Sequence, residues 1–253
     1  MRLGKKKLHV LSYTVSNFLD HFHRLECSRI IIKGINMQDI QKQVLDARNL
    51  LNQLNANNID KNSILGVIAG CCSLGASIFT IGASMVGGLL AASALAIFWA
   101  ISADEMEKKR DDAKAYYSQI EAAVKEADVV IDNLQAVRKM ADLFTRQITK
   151  FDALFFSLSI DAITTMKKHH YDTSRYNQKE KDQLCVTVST LMTLSAFLKV
   201  PIMDEHQKLN EKTQKALNLM RDQMDSLENG HYSLRDISFR QAQLEDLRDD
   251  KTS

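Results

Sequence analysis

The apolar and polar positions of this chain follow two patterns, and each predicts a different kind of helix. Over most of the length, apolar residues recur at alternating intervals of four and three, which is the spacing of a single buried stripe on an amphipathic helix. Residues 63–102, by contrast, form a block of 40 residues without one charged side chain. The pattern predicts an all-α protein in which an uncharged segment interrupts long amphipathic helices.

The longest stripe follows the uncharged segment, in a region without glycine between Gly88 and Gly230. Its members are Ala113, Tyr117, Ile120, Val124, Ala127, Ile131, Leu134, Ala141, Phe144, Ile148, Phe151, Phe155, Leu158 and Ala162. Arg138 interrupts the stripe, and we interpret it as a side chain that extends its charge to water or as a local register shift to Val137. An unbroken helix over residues 105–168 would measure roughly 100 Å, which predicts an elongated bundle.

Shorter stripes predict the remaining helices. One precedes the uncharged segment and two follow the long helix: Ile40, Val44, Ala47, Leu51 and Leu54; Leu184, Val188, Leu191 and Leu198; Leu209, Ala216, Met220 and Leu227. The last is expected to stop at Asn229 and Gly230. Residues 8–33 and 233–248 are predicted as shorter amphipathic helices, the second opened by Ser233 and Asp236 as a capping pair. Residues 169–181 are predicted as a loop, and residues 30–34 are the only β-like fragment.

We therefore expect a single helical-bundle domain over residues 1–253, with a hydrophobic hairpin over residues 62–103 inside it. Residues 64–81 and 85–101 are each close to the roughly 20 residues that a helix needs to cross a hydrocarbon core. The tip between them is Gly82, Ala83 and Ser84. Because the tip carries no charge, it avoids the cost of about 2.5–3.5 kcal/mol that a charged residue incurs at the bilayer centre.

The candidate membrane-inserting residues are the large apolar side chains of the two arms. They are Ile64, Leu65, Val67, Ile68, Leu74, Ile78, Phe79, Ile81, Met85, Val86, Leu89, Leu90, Leu95, Ile97, Phe98, Trp99 and Ile101. The eight in the first arm contribute only about 2.5–5 kcal/mol to insertion, from which its glycine, serine and threonine residues subtract. This balance favours conditional insertion, although small residues four apart would equally allow tight packing in a soluble bundle.

Three interpretations of the hairpin stay open at this stage. It could be the permanent core of a soluble bundle, a permanent two-span membrane anchor, or a hairpin stored in the soluble protein and released to insert. The absence of charge on every face argues against the first, since a bundle helix normally has a polar face.

Composition narrows the classes of partner and compartment. The formal net charge of +2 and the absence of any basic block longer than residues 5–7 argue against a nucleic-acid partner. Four scattered cysteines are too few for a disulfide framework in a chain of 253 residues. Adjacent Cys71 and Cys72 are interpreted as packing residues rather than as lipidation or redox sites. A cleaved signal peptide is not expected, because polar residues break the apolar stretch after the basic start.

Candidate chemical sites are few. Gly70 and Gly75 have phosphate-loop spacing, but Ala76 stands where the lysine is required. Only His23 and Cys27, of the set His21, His23 and Cys27, share one helical face, and two ligands do not make a metal site. The cluster His169, His170, Tyr171 and Asp172 is either a pH sensor or a solvated loop. We therefore predict no enzymatic activity, no cofactor, no metal and no small-molecule substrate.

A hydrophobic helical hairpin between long heptad-bearing helices resembles the α-helical pore-forming toxins of the cytolysin A, haemolysin BL and non-haemolytic enterotoxin group. The resemblance implies a rod-shaped bundle that stores an apolar tongue, extends it into a target membrane and oligomerises, sometimes with partner components. This chain departs from the group in being shorter and in having only about 60 residues before the apolar block. The order of elements is also similar to type III secretion translocators and to the pore-like domain of apolipoprotein L.

Together these observations predict a non-enzymatic membrane-permeabilising protein, a pore-forming toxin or toxin component. Its expected partners are a lipid bilayer and either further copies of itself or a second helical toxin component. It would be soluble, exported without a recognisable signal peptide, and then located in a target-cell membrane. The alternative is a resident two-span membrane-anchored scaffold or a translocator-like protein in the membrane of the producing cell.

Overall fold

Helices make up most of the described part of this protein, whose structure is a computed structural model. The structure describes residues 2–25, 31–32, 35–36, 45–46, 48–50, 52–53, 59, 63–69, 103–203, 209 and 211–249. The predicted all-α class is confirmed for these residues. The predicted β-like fragment, residues 30–34, contains strand β1 (Ile31–Ile32), which pairs antiparallel with β2 (Ile35–Asn36) just beyond the fragment.

Within the described residues, bounds are defined for six α-helices and one short 3-10 helix, and residues 45–53 contain further helical fragments. The α-helices are α1 (Arg2–Phe22), α2 (Ile64–Ala69), α3 (Ala103–Lys168), α4 (Gln178–Lys199), α5 (Lys212–Glu228) and α6 (Leu234–Asp249). The 3-10 helix spans Thr173–Arg175. The predicted bounds of 8–33 for the first helix are wrong. It starts earlier, at Arg2, because Gly4 packs through its backbone while the lysines of residues 5–7 occupy exposed and half-buried positions.

The chain divides into two units, of which the first comprises residues 1–71 and 139–253. Within this unit, helix α4 contacts α2, α5 and α6. Every residue of α4 from Leu184 to Leu198 is buried except Met192, which is half-buried. A helix that is buried on all sides needs no polar face, so the single predicted stripe describes only part of its packing.

The C-terminal part of α3, residues 139–168, also belongs to the first unit. It buries the stripe members Phe144, Ile148, Phe151, Phe155 and Ala162. The ring of Phe144 lies edge-on against Phe197 of α4, with 5.6 Å between ring centroids. This half of the predicted stripe faces other helices of the unit.

The second unit comprises residues 72–138, and its described part is the N-terminal portion of α3. Here the stripe members Tyr117, Val124 and Ile131 are exposed. At the interruption, Val137 is buried and Arg138 is exposed, as expected for a local register shift to Val137.

Two predicted helix boundaries are confirmed near the C-terminal end. Helix α5 ends at Glu228, and Gly230 follows with a φ of 67°, a backbone conformation that glycine adopts without steric cost. Helix α6 begins after Ser233, whose hydroxyl accepts a hydrogen bond from the Asp236 backbone N–H at 3.1 Å. This is the predicted cap, and it satisfies one of the free N–H groups at the start of the helix.

Candidate functional site

The described beginning of the uncharged segment, residues 63–69, is a short helix anchored at its N-terminal end. The Ser63 hydroxyl caps α2 by accepting a hydrogen bond from the Gly66 N–H at 3.2 Å. The Ile64 N–H donates to the Val200 carbonyl at 3.1 Å, just after the end of α4. These bonds satisfy backbone groups that would otherwise be left unpaired in a buried position.

Four of the predicted membrane-inserting side chains lie in α2, and all four are buried. Ile64, Leu65, Val67 and Ile68 have between 0% and 1% of their surface exposed. Helix α2 contacts α1 and α4. The other predicted members and the tip lie outside the described residues: Leu74, Ile78, Phe79, Ile81, Gly82, Ala83, Ser84, Met85, Val86, Leu89, Leu90, Leu95, Ile97, Phe98, Trp99 and Ile101.

Gly4 lies close to the backbone of α2. A Cβ atom placed on Gly4 would lie 2.6 Å from the backbone oxygen of Ile68 and 3.0 Å from the Thr145 hydroxyl of α3. No side chain fits against a backbone atom at that distance without displacing it. Gly4 therefore allows α1 to lie directly on the backbone of α2.

Helix α1 also contacts α3, through an aromatic cluster and a partly buried hydrogen bond. Phe18 is fully buried, and its ring lies edge-on against Phe155 at 5.7 Å and near Phe22 at 5.8 Å. Such aromatic pairs contribute about 0.5–1.5 kcal/mol beyond the burial of their area. The Thr14 hydroxyl donates to the Asp152 carboxylate at 3.0 Å. Helix α1 thus connects α2 to α3.

The C-terminal end of α1 is fixed to the turn that follows α3. The His21 Nδ1 atom and the Tyr171 hydroxyl are 2.8 Å apart, and the Arg24 guanidinium lies 4.4 Å above the Tyr171 ring. Burial lowers the pKa of His21 from its ordinary value of 6.5, and the nearby cations Lys167 and Arg24 lower it further, against a smaller opposing effect of Asp20. The neutral imidazole is therefore the form that fits this contact.

Tyr171 holds an unusual backbone conformation in that turn. It has a φ of 65°, and His170 before it has a φ of 53°. The Tyr171 N–H donates to the Met166 carbonyl at 2.8 Å, which closes the end of α3. The predicted break between long helices is confirmed here, although α4 already begins at Gln178.

Glu180 is the charged centre of the same turn. Its carboxylate accepts hydrogen bonds from Lys168 at 2.8 Å and from the Asn177 backbone N–H at 2.9 Å, and it lies 3.0 Å from His169 Nε2. The Asn177 side chain in turn accepts from the Glu180 N–H, which completes a capping box at the start of α4. The hydrogen bonds from Lys168, His169 and Asn177 lower the pKa of Glu180 to about 2.

We expect Glu180→Gln to lower stability at neutral pH and to remove one acid-sensitive contribution. Since the folded-state pKa is lowered from 4.5 to about 2, this contribution is complete above about pH 4.5. It is lost as the pH falls through 2, where the variant and the original protein should differ least. Thermal unfolding followed by circular dichroism at several pH values measures the difference.

The matched control is Glu121→Gln, because Glu121 forms a fully solvated pair with Lys125 one helical turn away. Surface pairs of this kind contribute little, so its melting temperature should change only slightly. A pH-independent effect of Glu180→Gln would contradict the assigned role of the carboxylate.

The remaining candidate sites are only partly described. His23 is exposed, whereas Cys27 and the residues from Gly70 to Ala76, including Cys71 and Cys72, lie outside the described residues. Within the described part of the chain, no group of three or more His, Cys, Asp or Glu side chains is arranged to hold a metal ion. Nor does any helix among those residues have the length and apolar content needed to span a bilayer.

Sequence patterns did not reveal the contacts of α1. Gly4 occupies a packing position without an apolar side chain, and the Thr14–Asp152 and His21–Tyr171 contacts join residues far apart in the chain. Glycine within a helix can allow close approach of another backbone, so Gly4 itself was the indication of this contact in the sequence.

Comparison with protein-family models, curated proteins and solved structures finds no match to this chain.

Proposed function

We propose that this chain is a non-enzymatic membrane-permeabilising protein, a pore-forming toxin or a component of one, that inserts residues 64–101 into a target bilayer as a helical hairpin. The observation that carries the proposal is the uncharged block of residues 63–102 in a chain where charged residues make up 25%. Two arms near the length of a membrane span and an uncharged tip are what a hairpin needs to cross hydrocarbon from one side.

The burial of α2 supports storage of the hairpin before insertion. Ile64, Leu65, Val67 and Ile68 are shielded from water in a helix that contacts α1 and α4. A protein that exposed the whole uncharged hairpin, residues 64–101, would present an apolar surface far larger than the few hundred Å² usual on a soluble monomer. Release of α1 from α2 would uncover the first turn of the hairpin.

The proposal includes an elongated bundle of heptad-striped helices and assembly into an oligomer. A single hairpin cannot enclose a water-filled channel, so several copies, or copies of a second helical component, must contribute arms. Small residues such as Gly66 and Gly70, four apart, would let these arms approach closely in lipid. The proposed route is export in soluble form followed by insertion into a target-cell membrane.

The decisive experiment is leakage of dye-loaded liposomes by the purified protein and by Ala83→Asp. A charge at the tip adds about 2.5–3.5 kcal/mol per hairpin, so leakage should fall roughly a hundredfold. Ala153→Asp, at an exposed position of α3, introduces the same charge outside the hairpin and should leave leakage unchanged. Equal leakage by Ala83→Asp and the original protein would refute insertion of the tip.

The two other classes predict different behaviour on expression without detergent. A resident two-span scaffold or translocator-like protein would partition into the membranes of the producing cell as it is made. A soluble bundle with a permanent hairpin core would remain in the aqueous fraction and cause no leakage. Recovery of a soluble protein that permeabilises liposomes is the outcome expected from stored insertion.

A further inference from the structure

The outward side of α1 combines exposed apolar residues with lysines. Leu3, Lys6, Val10 and Tyr13 follow each other at intervals of three and four, so they lie along one side of the helix. Leu3, Val10 and Tyr13 are 63%, 52% and 78% exposed. Lys5 and Lys6 are exposed within the same stretch. The opposite side of α1 is the buried one that carries Gly4 and Phe18.

The charge of this segment differs from that of the rest of the chain. Residues 1–19 contain Arg2, Lys5, Lys6 and Lys7 and no acidic residue, a net charge of +4. Because the whole chain has 33 basic and 31 acidic residues, the remainder has 29 and 31, a net charge of −2. The positive charge of the protein is therefore concentrated at the start of α1.

The basic residues in the first turn of α1, Arg2 and Lys5, are unfavourable for the helix itself. The first turn of a helix carries the positive end of its dipole, where acidic residues are stabilising and cations are not. Helix α1 has no acidic residue in its first turn, and no acidic side chain of the described residues forms an ion pair with Lys5, Lys6 or Lys7. A local cost without compensation inside the fold is expected where a residue serves binding.

We propose that the exposed side of α1 binds an anionic membrane surface. Lysines attract anionic lipid headgroups, while Leu3, Val10 and Tyr13 can enter the boundary between headgroups and acyl chains. The proposal rests on the proposed function, for which it supplies the first contact with the bilayer. Since α1 packs on α2 through Gly4, binding would bring the start of the uncharged segment within about 10 Å, one helix diameter, of the lipid.

Flotation with phosphatidylcholine vesicles, with and without phosphatidylserine, tests this proposal. Each lysine near an anionic surface contributes about a fivefold increase in partitioning, so Lys5→Gln with Lys6→Gln should weaken binding to the anionic vesicles roughly 25-fold. The control, Lys139→Gln with Lys215→Gln, removes the same charge from exposed positions elsewhere in the first unit and should bind nearly as the original protein does. Binding of the original protein should fall as salt shortens the Debye length.

Tyr13→Ser provides a second test that leaves the charge intact. It should weaken binding, with an unchanged helical signal in circular dichroism because Tyr13 is exposed. Equal binding by the α1 lysine variant and its control would overturn the proposal. So would a dimer of the original protein that Tyr13→Ser converts to monomer without a loss of lipid binding, which would assign this side of α1 to a second copy.

The test reads binding and not leakage, so the two proposals can fail separately. Ala83→Asp should bind anionic vesicles as the original protein does while failing to permeabilise them. Normal binding with no leakage from any variant would refute insertion alone, whereas leakage that is insensitive to Lys5 and Lys6 at low salt would refute the docking surface alone.

Discussion

Phe155→Ala is expected to lower the free energy of unfolding by about 3–5 kcal/mol, a large share of the roughly 5–15 kcal/mol that stabilises a typical domain. Phe155 is fully buried in α3, and its ring contacts Phe18 of α1 and Phe151. Truncation removes the transfer free energy of the ring and leaves a cavity beneath α1. The effect should appear as a lower midpoint in urea unfolding followed by circular dichroism.

The neighbouring residue offers a close control. Phe156 is 52% exposed, and Phe156→Ala changes the same number of atoms one position along the same helix. We expect a change of no more than about 0.5 kcal/mol for this exposed position. Similar losses for the two variants would mean that the burial of Phe155 is not what stabilises the contact between α1 and α3.

Gly4→Val is expected to weaken the packing of α1 on α2 by about 1–3 kcal/mol. The added Cβ would lie 2.6 Å from the Ile68 backbone oxygen, and a backbone atom cannot rotate away as a side chain can. Amide hydrogen exchange of residues 64–69 should therefore accelerate, roughly fivefold or more, because exchange follows the free energy of local opening.

Asn17→Val is the control for this substitution. It places the same β-branched residue in the same helix, at an exposed position. Exchange of residues 64–69 should stay unchanged in this variant. If Gly4→Val also left the exchange unchanged, α1 would not be the element that shields α2, and the proposed release of the hairpin would have to depend on α4.

The sequence predicted the helices of this fold better than their contacts. Periodicity and the absence of glycine indicated α3, and turn chemistry marked the stop at Gly230 and the cap at Ser233, because these are effects within a few residues. The start of α1 was missed, since Gly4 packs through its backbone and carries no apolar side chain. A helical stripe also does not specify what covers it: Phe155 is buried by α1, whereas Tyr117 on the same predicted stripe is exposed.

The candidate site shows the same limit. The lack of charge identified residues 63–102 as an unusually apolar segment. It did not indicate that the first residues of this segment are buried against other helices. The His21–Tyr171 contact joins residues 150 positions apart in the chain, so no local pattern could indicate it. The contact forms only because the fold brings the end of α1 to the turn after α3.

The turn at His170 and Tyr171 bears on the proposed release of α1 from α2. Two successive residues other than glycine with positive φ each cost on the order of 1 kcal/mol, and they persist only while their surroundings fix them. One of the interactions that fix this turn is the hydrogen bond between Tyr171 and His21 of α1. In the proposed release, departure of α1 would remove this contact and let the backbone relax, which would disfavour the return of the helix.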